Sequence, residues 1–304
     1  MLRPMIINRF GFAFASHEGR TWQSFSIYLT ALMLILTASV DSSAQETKKA
    51  TSDSEPIEQS KFLDEAKKYV IESPSDRAKL VLNEKSLLNW TNPVRQQERG
   101  AVYIWSLNER PYAIGSLFTY EYENKVFSKH EFHSLSTKPL KSSYDGKLAW
   151  TPKTAGIEWR QFKDAPDVAS THNARLLQFR QLCRPFRGEL IDPKNERTEL
   201  RLVSRPLITY SAPKQHVLDG ALFSLAVATD PEVLILIEAF EEDVNGSLQK
   251  GFRYGFARFH YWNLVVYDGD TKVWEAPLDR SHETNQIGAV ENIGKVYNSY
   301  HPKP

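Results

Sequence analysis

The chain has 304 residues, of which 25% are charged and 41% are hydrophobic, a composition typical of a folded globular protein. Lys and Arg total 38 against 37 for Asp and Glu, so the net charge of +1 lacks the basic excess of a nucleic-acid-binding surface. The single cysteine, Cys183, excludes an intramolecular disulfide and with it a small disulfide-stabilised scaffold.

Residues 25–40 (FSIYLTALMLILTASV) form an apolar run without charge, preceded by Arg3, Arg9 and Arg20 and followed by small residues. This order predicts a secretory signal peptide over residues 1–44, cleaved after Ala44. An uncleaved membrane anchor is the alternative, although the run is shorter than the ~20 residues that span a bilayer comfortably. We therefore expect an exported protein, periplasmic or extracellular, with no membrane contact unless the signal segment is retained.

Residues 45–60 are polar and predict a flexible linker. Phe62, Leu63, Ala66, Tyr69 and Val70 then recur at helical spacing and predict a short amphipathic N-terminal helix. Past this helix, residues 101–107, 112–122 and 126–135 are rich in β-branched and aromatic residues, with short links that predict an antiparallel meander.

Residues 138–169 contain many turn-forming residues and predict a long irregular connection. Ser170 is the expected N-cap of a second helix, whose apolar face ends before Gly188. The strands predicted after this helix cover residues 199–210, 221–228, 232–240, 254–267 and 272–275.

This order predicts an α+β fold, predominantly antiparallel β, with one well-defined helix between two groups of strands and a short N-terminal helix. Residues 61–277 are expected to form a single domain, with two lobes (61–165 and 166–277) as the alternative. Residues 278–304 are polar and predict a loose C-terminal tail.

The segment KHEFHSLS (129–136) places a glutamate between two histidines. Side chains alternate along a strand, so Glu131 and His133 share one face and His130 and Phe132 share the other, which argues against a common metal ion. The pair Glu131 and His133 is the candidate catalytic pair, because a carboxylate beside an imidazole suits a general base. The alternative is an ordinary hydrogen-bonded strand face.

Four further residues are candidate binding residues. Glu238 is the only charge in VLILIEAF, and we expect it to be partly buried and paired with Arg258 of FARFHYW. Trp105 and Trp262 belong to aromatic-rich strands that could line a pocket or stack on sugars, with core packing as the alternative. The Cys183 thiol, among apolar neighbours, is expected to be buried and inert.

The sequence has no G-x-S-x-G, phosphate-binding glycine loop, C-x-x-C or H-E-x-x-H motif. No cofactor and no metal site is therefore predicted.

The segments WTNPVR, GAVYIW, HEFHSLS, ELRLVSRPLITY and DGALFSLAVATDPEVLILIEA resemble a family of exported bacterial proteins with no assigned activity, over residues 90–274. The resemblance implies export and assigns no functional residue.

The leading hypothesis is a non-enzymatic exported β-rich domain that binds a small ligand, a glycan or a partner protein of the envelope. The alternatives are an extracytoplasmic hydrolase that uses Glu131 and His133 or Glu238 and Arg258, and a structural component of the envelope.

Overall fold

The computed structural model describes residues 54–92, 95, 98–280 and 294–302, and residues 54–59 by their backbone only. The predicted signal peptide and nearly all of the predicted linker lie outside the described residues.

The elements in chain order are α1 (Ser54–Lys67), β1 (Tyr69–Ser73), β2 (Ala78–Lys79), β3 (Val81–Leu82), β4 (Leu88–Asn92), β5 (Glu98–Leu107), β6 (Arg110–Tyr122), β7 (Lys125–Ser134), β8 (Lys141–Tyr144), β9 (Lys147–Trp150), β10 (Arg160–Gln161), α2 (His172–Cys183), β11 (Phe186–Ile191), β12 (Arg197–Ala212), β13 (Val217–Val227), β14 (Asp230–Val244), β15 (Ser247–Arg258), β16 (Asn263–Asp268), β17 (Thr271–Ala276) and β18 (Tyr297–Tyr300).

The prediction of a mostly antiparallel β protein is confirmed. The strands form an eight-stranded sheet (β10-β15-β14-β13-β12-β11-β16-β17), a six-stranded sheet (β18-β7-β6-β5-β3, with β4 also on β5) and a four-stranded sheet (β2-β1-β8-β9). The described residues group into one compact unit. Neither helix of the described part is both long and apolar enough to span a bilayer.

The eight-stranded and six-stranded sheets face each other across a shared apolar layer, which we call the inter-sheet core. Strand β14 shows why the layer forms, because its side chains are apolar on both faces: Leu234 and Leu236 enter this layer, while Val233 and Ile235 enter the core on the other side. The inter-sheet core contains Trp90, Val102, Ile104, Ile114, Phe118, Leu135, Ile157, Leu222, Leu234, Leu236, Ala257 and Phe259.

Each large sheet has a second core on its outer face. Phe179 and Cys183 of helix α2 pack on the outer face of the eight-stranded sheet. Phe62 and Ala66 of helix α1 pack on the outer face of the six-stranded sheet, together with residues of the four-stranded sheet. Cys183 is buried and free, as predicted, and burial raises the pKa of its thiol.

Both helices differ from the prediction at their ends. Helix α1 stops at Lys67, and Tyr69 and Val70 instead begin strand β1, where Tyr69 is buried and Val70 is exposed. Helix α2 is capped by Thr171 rather than Ser170, and it ends at Cys183, well before Gly188. Pro185 explains the early end, because a proline has no backbone N–H with which to continue the helical hydrogen bonds, while Arg184 before it keeps helical backbone angles.

Two predicted strand regions are also corrected. The expected single strand over residues 254–267 is two strands, β15 and β16, separated by residues 259–262. The expected irregular stretch of residues 138–169 contains the short strands β8, β9 and β10.

Part of the predicted loose tail is ordered. Tyr297–Tyr300 form strand β18, which pairs with β7 at the edge of the six-stranded sheet and is buried throughout. The reason is local: Tyr297 and Ser299 donate to Glu131 on one face of the strand, and the Tyr300 hydroxyl meets the Tyr69 hydroxyl on the other, a pattern that polarity alone does not reveal.

Candidate functional site

The side chains of strand β7 alternate between the two faces of the six-stranded sheet, as predicted. His130 and Phe132 face the outer core, where the Tyr69 hydroxyl lies 2.8 Å from His130 Nδ1. Glu131 and His133 face the eight-stranded sheet. The two histidines therefore lie on opposite sides of the six-stranded sheet. No three His, Cys, Asp or Glu side chains of the described residues group closely enough to hold a metal ion.

Glu131 and His133 share a face but form no hydrogen bond with each other. Glu131 Oε1 accepts from the Tyr297 hydroxyl (3.0 Å) and from Ser299 Oγ (3.1 Å). His133 donates from Nδ1 to the Ser134 carbonyl (2.8 Å). Burial lowers the pKa of His133 to about 4, so the imidazole is neutral at pH 7. The geometry of a carboxylate-oriented general base is absent from this pair.

Glu238 is fully buried, but its predicted partner is wrong. Arg110 donates to both carboxylate oxygens (2.8 and 3.1 Å), Arg253 donates from Nε (2.8 Å), and the Tyr210 hydroxyl donates at 2.8 Å. The register pairs Glu238 with Arg253 and places Arg258 opposite Val233, too far along the strand. Both carboxylate oxygens of Glu238 already accept hydrogen bonds from these side chains, so the role of Glu238 is structural. We call Glu238 with Arg110, Arg253 and Tyr210 the Glu238 centre.

Arg258 binds the backbone of the segment that follows β15 and not Glu238. Its guanidinium donates to the backbone carbonyls of His260, Tyr261, Trp262 and Pro277, at 2.7 to 2.9 Å. These bonds turn the chain after β15, which is why the predicted long strand is broken at this point. Burial lowers the pKa of Arg258.

Neither candidate tryptophan lines either of the two cavities described below. Trp105 is 1% exposed and packs inside the outer core of the six-stranded sheet, which corrects its assignment as a binding residue. Trp262 is half-buried, and the Arg95 guanidinium lies 5.6 Å from its ring centre.

A cavity of about 310 Å³ opens between the two large sheets beside Glu131, and we call it the acidic cavity. Strands β4 to β7 supply one wall, and β14 with the segment after β15 supplies the other. Its lining residues are Trp90, Arg95, Glu98, Phe118, Tyr120, Tyr122, Lys129, Glu131, Asp230, Phe259, His260, Tyr261 and His301. A second cavity of about 470 Å³ lies on the other side of Tyr297 and includes His133 and Arg258.

Arg95 holds the carboxylates on the eight-stranded side of the acidic cavity. Its guanidinium donates to Asp230 (3.4 Å) and to Glu232 (3.1 Å), and Asn92 also donates to Asp230 (3.3 Å). Glu232 Oε2 has no hydrogen-bond partner within the described residues. Burial raises the pKa of Asp230 well above its ordinary range and that of Glu232 to about 8.

Three groups in the cavity lack a hydrogen-bond partner in the described part of the chain. Lys129 is 8% exposed, and its ammonium lies 4.4 Å from the centre of the Tyr261 ring, near Glu131 and Glu98 but without a hydrogen bond to either. The Glu98 carboxylate comes no closer than 4.0 Å to Arg95, and Glu131 uses only Oε1. Burial raises the pKa of Glu98 to about 7 and lowers that of Lys129. Buried charged groups are rarely left unpaired, so these three mark the cavity as a candidate site.

Of this group, only Glu131 was a candidate from the sequence. Arg95 and Glu98 precede the first predicted strand, Asp230 lies in the turn between two predicted strands, and Lys129 is the first residue of KHEFHSLS. The available signal was the number of charges inside strand-like segments around residue 130 and after residue 228.

Comparison with protein-family models, with curated proteins and with solved structures gives no match for this chain.

The acidic cavity predicts a loss of stability as the pH rises from about 4.5 to about 8, and above about 6.5 this loss is not offset by the buried histidines. The folded-state pKa values of Glu98 (about 7) and Glu232 (about 8) exceed the ordinary value of 4.5. The folded chain therefore keeps protons that the unfolded chain has released, and this stabilisation is lost as the pH rises through the folded values. His130 and His133, with lowered pKa values near 3 and 4, act in the opposite direction only below about 6.5.

Thermal unfolding between pH 6 and 8.5 measures this effect. Glu98→Gln should reduce the decline between about pH 6.5 and 7.5, where the folded wild type loses its remaining Glu98 proton, and should leave the part near pH 8 that comes from Glu232; each such proton contributes up to about 1.4 kcal/mol per pH unit. Glu199→Gln, an exposed glutamate on β12, should keep the wild-type slope. A wild-type stability that stays level or rises from pH 6.5 to 8 would contradict the assignment.

The Glu238 centre makes a second prediction. Glu238→Gln leaves Arg110 and Arg253 without their counter-charge and should destabilise the protein by about 3 kcal/mol in urea unfolding. Glu242→Gln on the same strand changes an exposed side chain and should stay within about 0.5 kcal/mol of wild type. Equal free energies of unfolding for the two variants would show that the ion pairs of Glu238 do not stabilise the fold.

Proposed function

We propose that the protein is an exported binding protein and that the acidic cavity binds a small polar ligand. One observation carries this proposal: Lys129, Glu98 and Glu131 bring unpartnered charged groups into one cavity between the two large sheets. Ligand sites combine apolar walls with a few polar groups, and here Trp90 and Phe118 supply apolar wall.

A glycan ligand has less support than a small charged one. Stacking on sugars requires a free ring face, but the Tyr261 ring has Lys129 at 4.4 Å and the His260 ring stacked at 4.4 Å. The Tyr120 ring likewise stacks on Phe127 at 5.4 Å.

A docked partner protein also has less support. The exposed large hydrophobic residues of the described chain are spread over several elements: Val70, Val81, Tyr122, Val126, Leu148, Leu177 and Leu248. A protein interface instead gathers its apolar side chains in one patch.

A hydrolase remains the second candidate, with different residues. Glu238 is saturated by its partners, and Glu131 and His133 do not touch, so neither predicted pair supports catalysis. Glu98 and Glu131 are two carboxyl groups in one cavity with raised pKa values, the property that a general acid requires. A ligand recovered chemically unchanged after incubation with the protein distinguishes binding from hydrolysis.

Export is tested by mass. Intact-mass spectrometry of protein recovered outside the cytoplasm of a bacterial host should give a chain that begins near Gln45. Recovery of the full-length chain from the cytoplasm alone would contradict export.

Binding is tested by thermal shift with a defined panel: the protein amino acids, putrescine, glucose, N-acetylglucosamine and citrate. At least one compound should stabilise the wild type, by about 2.7 kcal/mol at a concentration of a hundred times its Kd. Lys129→Met should lose this response, whereas Lys125→Met, an exposed lysine on the same strand, should retain it. A response that is equal in all three proteins would place binding elsewhere, and no response to any compound would contradict the proposal.

A further inference from the structure

We infer that the acidic cavity recognises a zwitterion, specifically a small α-amino acid with an apolar side chain, with Lys129 as the partner of its carboxylate and Glu98 with Glu131 as the partners of its ammonium. This inference rests on the proposed function of the same cavity and adds the class of ligand.

The first step concerns Lys129. Lys129 is more than nine-tenths buried, and the Tyr261 ring beside its ammonium is a weak substitute for water. A buried ammonium needs an acceptor, and a carboxylate is the strongest one available to it. Lys129 therefore favours a ligand that carries a carboxylate.

The second step concerns the two open carboxyl groups. Glu131 Oε2 and both oxygens of Glu98 have no hydrogen-bond donor in the described residues. An ammonium offers three donors and a positive charge, which a hydroxyl group does not. Glu98 and Glu131 therefore favour a ligand that carries an ammonium group.

The third step concerns the balance of charge. Around the cavity, the described carboxyl groups Glu98, Glu131, Asp230 and Glu232 face the basic groups of Arg95 and Lys129. A simple amine would leave Lys129 without an acceptor, and a simple carboxylate would leave Glu98 and Glu131 Oε2 without a donor. A ligand with both groups supplies both missing partners.

The last step concerns the side chain of the ligand. The remaining wall of the cavity includes Trp90, Phe118 and Phe259, which also belong to the inter-sheet core. A cavity of about 310 Å³ is at the small end of the range for ligand sites. These features favour a small ligand with an apolar group, such as L-leucine or L-phenylalanine.

The experiment compares each amino acid with its two single-charge analogues on the wild-type protein by isothermal titration calorimetry. L-Leucine is compared with isoamylamine and 4-methylpentanoate, and L-phenylalanine with phenethylamine and 3-phenylpropionate. One amino acid should bind about tenfold or more tightly than both of its analogues, because each analogue leaves a buried charge unpaired.

Two variants assign the charges. Lys129→Met should weaken binding of the amino acid about tenfold and change binding of the amine by no more than about twofold. Glu98→Gln should weaken binding of the amino acid and of the amine, and leave binding of the carboxylate analogue unchanged.

An analogue that binds as tightly as its amino acid overturns the inference, and so does failure of both amino acids to bind. If glucose or another panel compound still binds, the proposed function stands without the inference; if nothing binds, both fall.

Discussion

A carboxylate buried between two sheets must find its counter-charge inside the protein, because the loss of water around it costs several kcal/mol. This requirement governs both ends of the inter-sheet core. At one end, Glu238 of β14 receives Arg110 from β6 and Arg253 from β15. Arg110 belongs to the six-stranded sheet and Glu238 to the eight-stranded sheet, so this ion pair fixes how the two sheets meet.

At the opposite end of the core, only some of the charged groups have a partner inside the described part of the protein. Arg95 pairs with Asp230 and Glu232, but Glu98, Glu131 Oε2 and Lys129 are left without hydrogen-bond partners among the described residues. The pKa of Glu98 is raised for this reason, since burial favours the neutral carboxyl group. The contrast between a satisfied centre and an unsatisfied one in the same layer supports the proposal that a ligand supplies the missing partners.

Much of the fold could be predicted from the sequence because its signals are local. The strands around residues 101–135 and 230–240 have strong β patterns, and the alternation along KHEFHSLS placed its four side chains on the correct faces. The burial of Glu238 also followed from its apolar neighbours.

The partners of these residues could not be predicted, because they depend on register and on contacts that are distant in the chain. Arg253 rather than Arg258 faces Glu238 because the β14–β15 hairpin turns at residues 245–246, a position that apolar patterning does not determine. Arg110 is 128 positions from Glu238 in the chain. The acidic cavity likewise gathers Glu98, Lys129 and Asp230 from three separate segments, so no spacing in the sequence marks it.

The most direct test of this account is the titration of Glu98 in the ligand-free protein, followed by carboxyl ¹³C NMR with the resonance assigned by Glu98→Gln. The account predicts a midpoint near pH 7, because the carboxyl group is buried without a hydrogen-bond donor. A midpoint near the ordinary value of 4.5 would show that the cavity already compensates this charge, and the case for a ligand there would be lost.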